Sequence, residues 1–134
     1  KNKMKRSIYL FVMLFACILT AFAANTKSSY SGTLDINVNG TVSSSIKTVS
    51  VTDNGNGTIT ARIRNFSYSI FSGTVTITAT IDANGALSNP SVSFSGISIS
   101  SVSMSNSYIT QDACEIHLVM TAIGDAITVD FSGQ

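Results

Sequence analysis

Apolar and hydroxyl-bearing residues take turns along most of this chain, and a period of two leaves few folds open. Leu34, Ile36 and Val38 lie between Thr33, Asp35 and Asn37, and Val49 and Val51 between Thr48, Ser50 and Thr52. Ile59, Ala61 and Ile63 oppose Thr60, Arg62 and Arg64, while Val75, Ile77, Ala79 and Ile81 oppose Thr74, Thr76, Thr78 and Thr80. Near the end Ile116, Leu118 and Met120 alternate with Glu115, His117 and Thr121, and Ile127, Val129 and Phe131 with Thr128 and Asp130. Such alternation predicts antiparallel strands with one face on a core and the other in water. No window carries a helical period. The 21 Ser and 14 Thr from Ala24 onward do not form a disordered tract, because each run of them has an apolar partner set.

Turn chemistry cuts the strands at short intervals. Asn39-Gly40 ends the first, Asp53-Asn54-Gly55-Asn56-Gly57 separates the second from the third, Asn84-Gly85 follows the fourth, and Gly124-Asp125 joins the last two. Asn-Gly and Gly-Asp supply the positive φ of hairpin turns, so sequential strands are neighbours in an up-and-down meander. In 86–113 the phase slips at Gly96 and at Ser100-Ser101, which predicts one or two bulged strands. Pro90 restricts its strand to an edge or a start. The expectation is an all-β, antiparallel meander barrel of about eight strands. A β-sandwich is the alternative, and the two differ in whether the strand at Tyr30–Val38 pairs with the one at Ala126–Phe131. Closure removes the edges that are a hazard for a chain so poor in charge.

The amino-terminal stretch reads as an address. Lys1, Lys3, Lys5 and Arg6 precede the uncharged run Ile8–Leu19, which closes on Ala21-Phe22-Ala23 and Ala24. That is the form of a secretory signal over 1–23, cleaved between Ala23 and Ala24, with 24–29 as a short linker and 30–134 as the barrel domain. The apolar run is short for a span, which needs about 20 residues, so contact with a membrane is expected only before cleavage. Leu14-Phe15-Ala16-Cys17 is a loose lipid-anchor alternative. Cleavage leaves Lys27, Lys47, Arg62 and Arg64 against seven acids, a net charge of −3. Nucleic acid is excluded as a partner, since it demands a basic face. Cys114 stands alone in the exported part, so no internal disulfide is available and the apolar core must suffice.

Tyr30-Ser31-Gly32-Thr33-Leu34-Asp35-Ile36-Asn37-Val38-Asn39-Gly40, the strands around Asp53–Gly57, the Arg64-Asn65-Phe66-Ser67 corner and the closing Val129-Asp130-Phe131-Ser132-Gly133 occur in an order that resembles the calycin-like (lipocalin-like) domain family of exported Bacteroides-type proteins. The resemblance covers 30–134. It implies a small lipocalin-like meander barrel, with no residue roles to carry over. True lipocalins carry Gly-x-Trp in their first strand, and this chain has no Trp.

Reactive side chains are sparse. His117, the only histidine, falls on the wet face with Glu115 and Thr121. It could pair with Asp112 or Glu115 as a base, or with Cys114 as a nucleophile pair. Residues three apart on a strand face opposite sides, so Cys114 is expected inside as a small packed residue. One His and one Cys make no zinc set. Asp53–Gly57 imitates a calcium loop but places glycine where the third and fifth ligands belong, so it reads as a hairpin loop. No Gly-x-Ser-x-Gly elbow and no spaced carboxylate pair are present. The Thr74-Thr76-Thr78-Thr80 row would order water or ice only on a flat surface, and one row on a twisted sheet reads as solvent face. Arg62 and Arg64, with Phe66 in phase, form a cationic-aromatic strip suited to a carboxylate or glycan, or a plain solvated face.

These readings predict no enzyme, no catalytic residue, no metal and no cofactor. They favour an exported binding or scaffold module in the periplasm or at the cell surface. The first alternative is a carrier of a small apolar ligand among the inward residues Leu34, Ile36, Val38, Ile59, Ile63, Val75, Ile77, Leu118, Met120, Ile127 and Val129. The second is a sandwich adhesin or fibre subunit with a cell-surface partner, contacting it through Asn106, its flanking serines and Tyr108.

Overall fold

The computed structural model describes residues 26–68, 71–94 and 96–134. The leader expected at 1–23, the cleavage expected between Ala23 and Ala24, and Cys17 all fall outside the described residues. Nine strands follow one another: β1 (Ser29–Val38), β2 (Thr41–Asp53), β3 (Thr58–Tyr68), β4 (Phe71–Ile81), β5 (Leu87–Phe94), β6 (Ile99–Met104), β7 (Tyr108–Ile109), β8 (Cys114–Ala122) and β9 (Asp125–Gly133). They pair in the order β5-β4-β3-β2-β1-β9-β8-β6, every pair antiparallel, with β7 continuing beside β8. β6 and β7 share one position, so eight staves make a nearly closed up-and-down barrel.

The β1–β9 ladder decides between barrel and sandwich. It runs in register from Gly32 opposite Gly133 to Val38 opposite Ile127, extended by reciprocal bonds between Ser31 and Gln134. The strands approach so closely that a Cβ on Gly32 would lie 1.9 Å from the carbonyl oxygen of Ser132. The other join, between β5 and the β6/β7 stave, is sparse. Leu87 N–H donates to Ser107 O (2.9 Å), Ile109 N–H to Gly85 O (2.8 Å) and Ile97 N–H to Phe94 O (3.1 Å).

All the predicted inward residues point into the barrel, Val38 being only half-buried. Tyr30, Phe66, Phe94, Ile109, Cys114, Ile116 and Phe131 join them in one apolar cluster. Each large aliphatic side chain so buried contributes about 1.5–3 kcal/mol. Edge-to-face contact between Phe66 and Phe94, with centroids 5.4 Å apart, closes one region of it. Elsewhere Tyr30 is anchored: its hydroxyl donates to Thr110 O (2.5 Å) and accepts from Lys27 N–H (2.7 Å). Burial raises the Tyr30 phenol above its ordinary range, against the lowering effect of the Lys27 N–H.

Two irregularities involve the stretch 86–113, where the sequence loses phase. β4–β5 slips between Thr78 and Thr80, and β6–β8 between Ile99 and Ser101. Pro90 lies in β5, an end strand of the ladder path, where a missing N–H is tolerated. Between β6 and β7 an extra residue is inserted at Ser105–Ser107, with Asn106 at φ 47°. Ser107, itself buried, fills the gap left in the ladder. Its hydroxyl accepts from His117 N–H (2.8 Å) and donates to Ser105 O (3.0 Å). The last hairpin differs by one residue from expectation: its turn is Ile123-Gly124, with φ of 52° and 78°, and Asp125 already belongs to β9.

Candidate functional site

The titratable side chains converge on the outer face of β8 and β9. Hairpin register sets His117 opposite Asp130 and Glu115 opposite Ser132. His117 Nδ1 lies 2.8 Å from Asp130 Oδ1, and Nε2 lies 3.3 Å from Glu115 Oε2. Ser132 Oγ donates to Glu115 Oε1. One strand further, Asp35 stands opposite Asp130 and accepts from Ser44 Oγ (2.5 Å). An imidazole flanked by two carboxylates satisfies both only by donating from both nitrogens. The serine hydroxyl points to Glu115 rather than to the ring, so the set does not have the serine–histidine contact of an activated nucleophile. What the arrangement does directly is tie β8 to β9 through partly exposed cross-strand pairs, each contributing at most about 1 kcal/mol.

The sequence expected Asp112 or Glu115 as the partner of His117. Glu115 is one; Asp112 stays in the β7–β8 loop, where its N–H donates to Thr110 Oγ1 (3.3 Å). Asp130 and Ser132 were not singled out. A two-residue turn at Ile123-Gly124 would have delivered both, because it fixes which residues face each other across the hairpin. Cys114 is buried on the opposite face from His117, as alternation requires. Burial, and then the charge of Glu115, push its thiol up to about 12, which keeps it protonated and unreactive.

The cationic-aromatic strip is not assembled. A register shift between Ile63 and Phe66, with Asn65 at φ 57°, turns Phe66 into the core while Arg62 and Arg64 stay exposed outside. In Asp53–Gly57 the polar atoms serve the turn itself: Asp53 Oδ1 accepts from Gly55 N–H (2.8 Å), Asn54 Nδ2 donates to Thr58 and Thr60, and Asn56 Oδ1 accepts from Thr58 Oγ1 (2.6 Å). The threonine row of β4 is the middle of three hydroxyl columns. Thr78 faces Thr60 and Ser91, and Thr80 faces Thr58 and Ser88. Asn106 and Tyr108 are exposed, but Ser107 between them is buried, so the expected contact loop is interrupted by a structural residue.

Two shallow clefts flank these features. One of about 430 Å³ lies against Glu115, Ser132, Gly133 and Tyr108. The other, about 360 Å³, opens between β2 and β3 and is lined by Ile46, Lys47, Thr48, Ser50, Arg64 and Asn65. Among the described residues no group of three or more His, Cys, Asp or Glu is placed to hold a metal ion. Comparisons with protein-family models, curated proteins and solved structures find no match for this chain.

Proposed function

We propose that this chain is an exported, non-enzymatic barrel module of calycin-like type, cleaved between Ala23 and Ala24 and working in the periplasm or at the cell surface as a binding or scaffold domain. The observation that carries this reading is the division of chemistry between the two faces. Inside, side chains from all round the barrel pack into one apolar cluster; outside, hydroxyls dominate and His117 is engaged by two carboxylates. Catalysis by acid or base needs a tuned group aimed at a held substrate, and Glu115, His117 and Asp130 are aimed at one another. A filled interior also favours a scaffold or surface binder over a carrier of an apolar ligand. Mass spectrometry of the protein from its own host tests the address: a species beginning at Ala24 in the exported fraction is expected. A full-length chain confined to the cytosol would overturn the reading.

A further inference from the structure

β2 is longer than the barrel needs. Its second half pairs on both sides, Val49 to Asp53 lying against Ile63 to Ile59 of β3. Among the described residues its first half pairs only with β1, from Thr41 opposite Val38 to Thr48 opposite Ser31. β3 leaves it at the Asn65 irregularity, where the Lys47 ammonium reaches across, donating to Asn65 O (2.8 Å). Thr41 to Ile46 is therefore a strand edge exposed throughout. Val42 at 59% and Ile46 at 77% exposure are the two most exposed large apolar side chains among the described residues.

The direction of the free backbone groups follows from one bond. Val51 N–H donates to Ser28 O, on the β1 side. Backbone groups alternate sides along a strand, and the β1–β2 register is unbroken. Ser45, Lys47 and Val49 therefore bond toward β1, while Val42, Ser44 and Ile46 turn N–H and C=O to the open side. The same three residues carry their side chains on the outer face.

We infer that this edge pairs with the β2 edge of a second copy, antiparallel about a two-fold axis at Ser44. In that register Val42 meets the partner's Ile46, Ile46 meets the partner's Val42, and Ser44 meets the partner's Ser44. Each of those pairs exchanges two backbone bonds. Ser43 and Ser45 oppose each other on the inner face, and Lys47, the only charge on the segment, falls opposite the partner's Thr41. Like charges never meet, and both exposed apolar residues find an apolar counterpart, as an isologous interface requires. A foreign strand would have no reason to match this symmetric spacing of valine, serine and isoleucine. The contact is one strand pair, short of the roughly 1,000 Å² of a durable interface, so it is a reversible dimer joining two barrels through continuous sheet. This inference is independent of the export reading.

Sedimentation velocity on protein purified from its own host, from micromolar to millimolar concentration, should show a monomer–dimer equilibrium. In hydrogen exchange, the amides of Val42, Ser44 and Ile46 should slow by about tenfold or more across that range. Those of Ser43, Ser45 and Lys47, already bonded to β1, should not change. Val42→Lys with Ile46→Lys sets lysine against lysine twice at exposed positions and should weaken the dimer at least about tenfold without altering the far-ultraviolet circular dichroism. Val42→Glu with Ile46→Lys sets glutamate against lysine twice and should restore pairing. A monomer at every concentration, a dimer indifferent to the double lysine variant, or a charge-swapped variant that stays monomeric would each overturn the inference. An unrelated extended peptide that slowed the same amides in an otherwise monomeric protein would assign the edge to a foreign strand and overturn it as well.

Discussion

The barrel is closed twice, and the two closures are built differently. At β1–β9 a continuous ladder and a pair of opposed glycines bring the backbones close together. At β5 against β6/β7, a few isolated backbone bonds and buried side chains do the work of a ladder. A ring of strands can thus hold with one precise seam and one improvised one. The strands at the improvised seam carry bulges, Pro90 is accommodated there, and on its β8 side the Ser107 side chain stands in for a strand bond.

The strongest way to break the contrast is at the ladder. Gly32→Val places side-chain carbon where Ser132 carbonyl oxygen lies, and backbone cannot yield as a flexible side chain would. The expected loss exceeds about 4 kcal/mol, enough to unfold a domain of ordinary stability. Circular dichroism and urea titration would read it, and a variant of near-native stability would show that the ladder is not the tight closure.

Alkaline pH comes next, through Cys114, which lies between both closures, opposite Gly133 of β9 and Ile109 of β7. Its folded value, about 12, stands above the ordinary 9.0. The fold thus holds a proton that the unfolded chain releases. The associated stability is whole below pH 9 and is lost as pH climbs through the window toward 12, a fall on the order of a few kcal/mol. Tyr30 acts in the same direction. Cys114→Ala should flatten the decline seen in denaturation midpoints over that window; an unchanged slope would remove the thiol as its cause.

Ser107→Ala probes the improvised seam from its β8 side, since the residue whose carbonyl accepts from Leu87 is held there by its hydroxyl. Truncation orphans His117 N–H and removes a donor from Ser105 O, at a cost of about 1–3 kcal/mol. Exchange of the Leu87 and Ile109 amides should quicken beyond what the global loss explains, while the β1–β9 amides follow the global value alone. Uniform quickening would mean the two seams open together.

The smallest effect is a gain. Ile123 is β-branched, exposed and at positive φ, in the place where Asn39 of the β1–β2 turn holds φ 51°. Ile123→Asn should raise the unfolding free energy by about 1 kcal/mol. No gain would mean that isoleucine is held there by something besides the turn.

Legibility along the sequence follows the same division. Where valine, isoleucine and threonine alternate without interruption, in β1, β4, β8 and β9, inward residues and hairpin neighbours could be read directly, whereas the β1–β9 pairing that separates barrel from sandwich stayed open until the structure showed it. At Asn65 a single positive φ reverses the phase, and nothing in Arg64-Asn65-Phe66 announces it, so alternation alone sends Phe66 outside when it belongs in the core. The Ser-rich stretch from Ser98 to Ser107 gives serine to both faces, and its phase slips were visible although its pairings were not. The His117 cluster was half legible: Glu115 shares its strand, whereas Asp130 arrives through a turn whose first residue, an isoleucine, hides the signal that asparagine gives at Asn39.

The close seam also sets how the molecule would answer a pull. Ser29 and Gly133 lie near the same end of neighbouring antiparallel strands, as the reciprocal bonds of Ser31 with Gln134 show. Tension applied between those two points would load the ladder bonds one after another from Gln134 toward Ile127, like a zipper, instead of all together in shear. The most continuous join of the two closures would then yield stepwise to force, and the barrel would open from its best-made side.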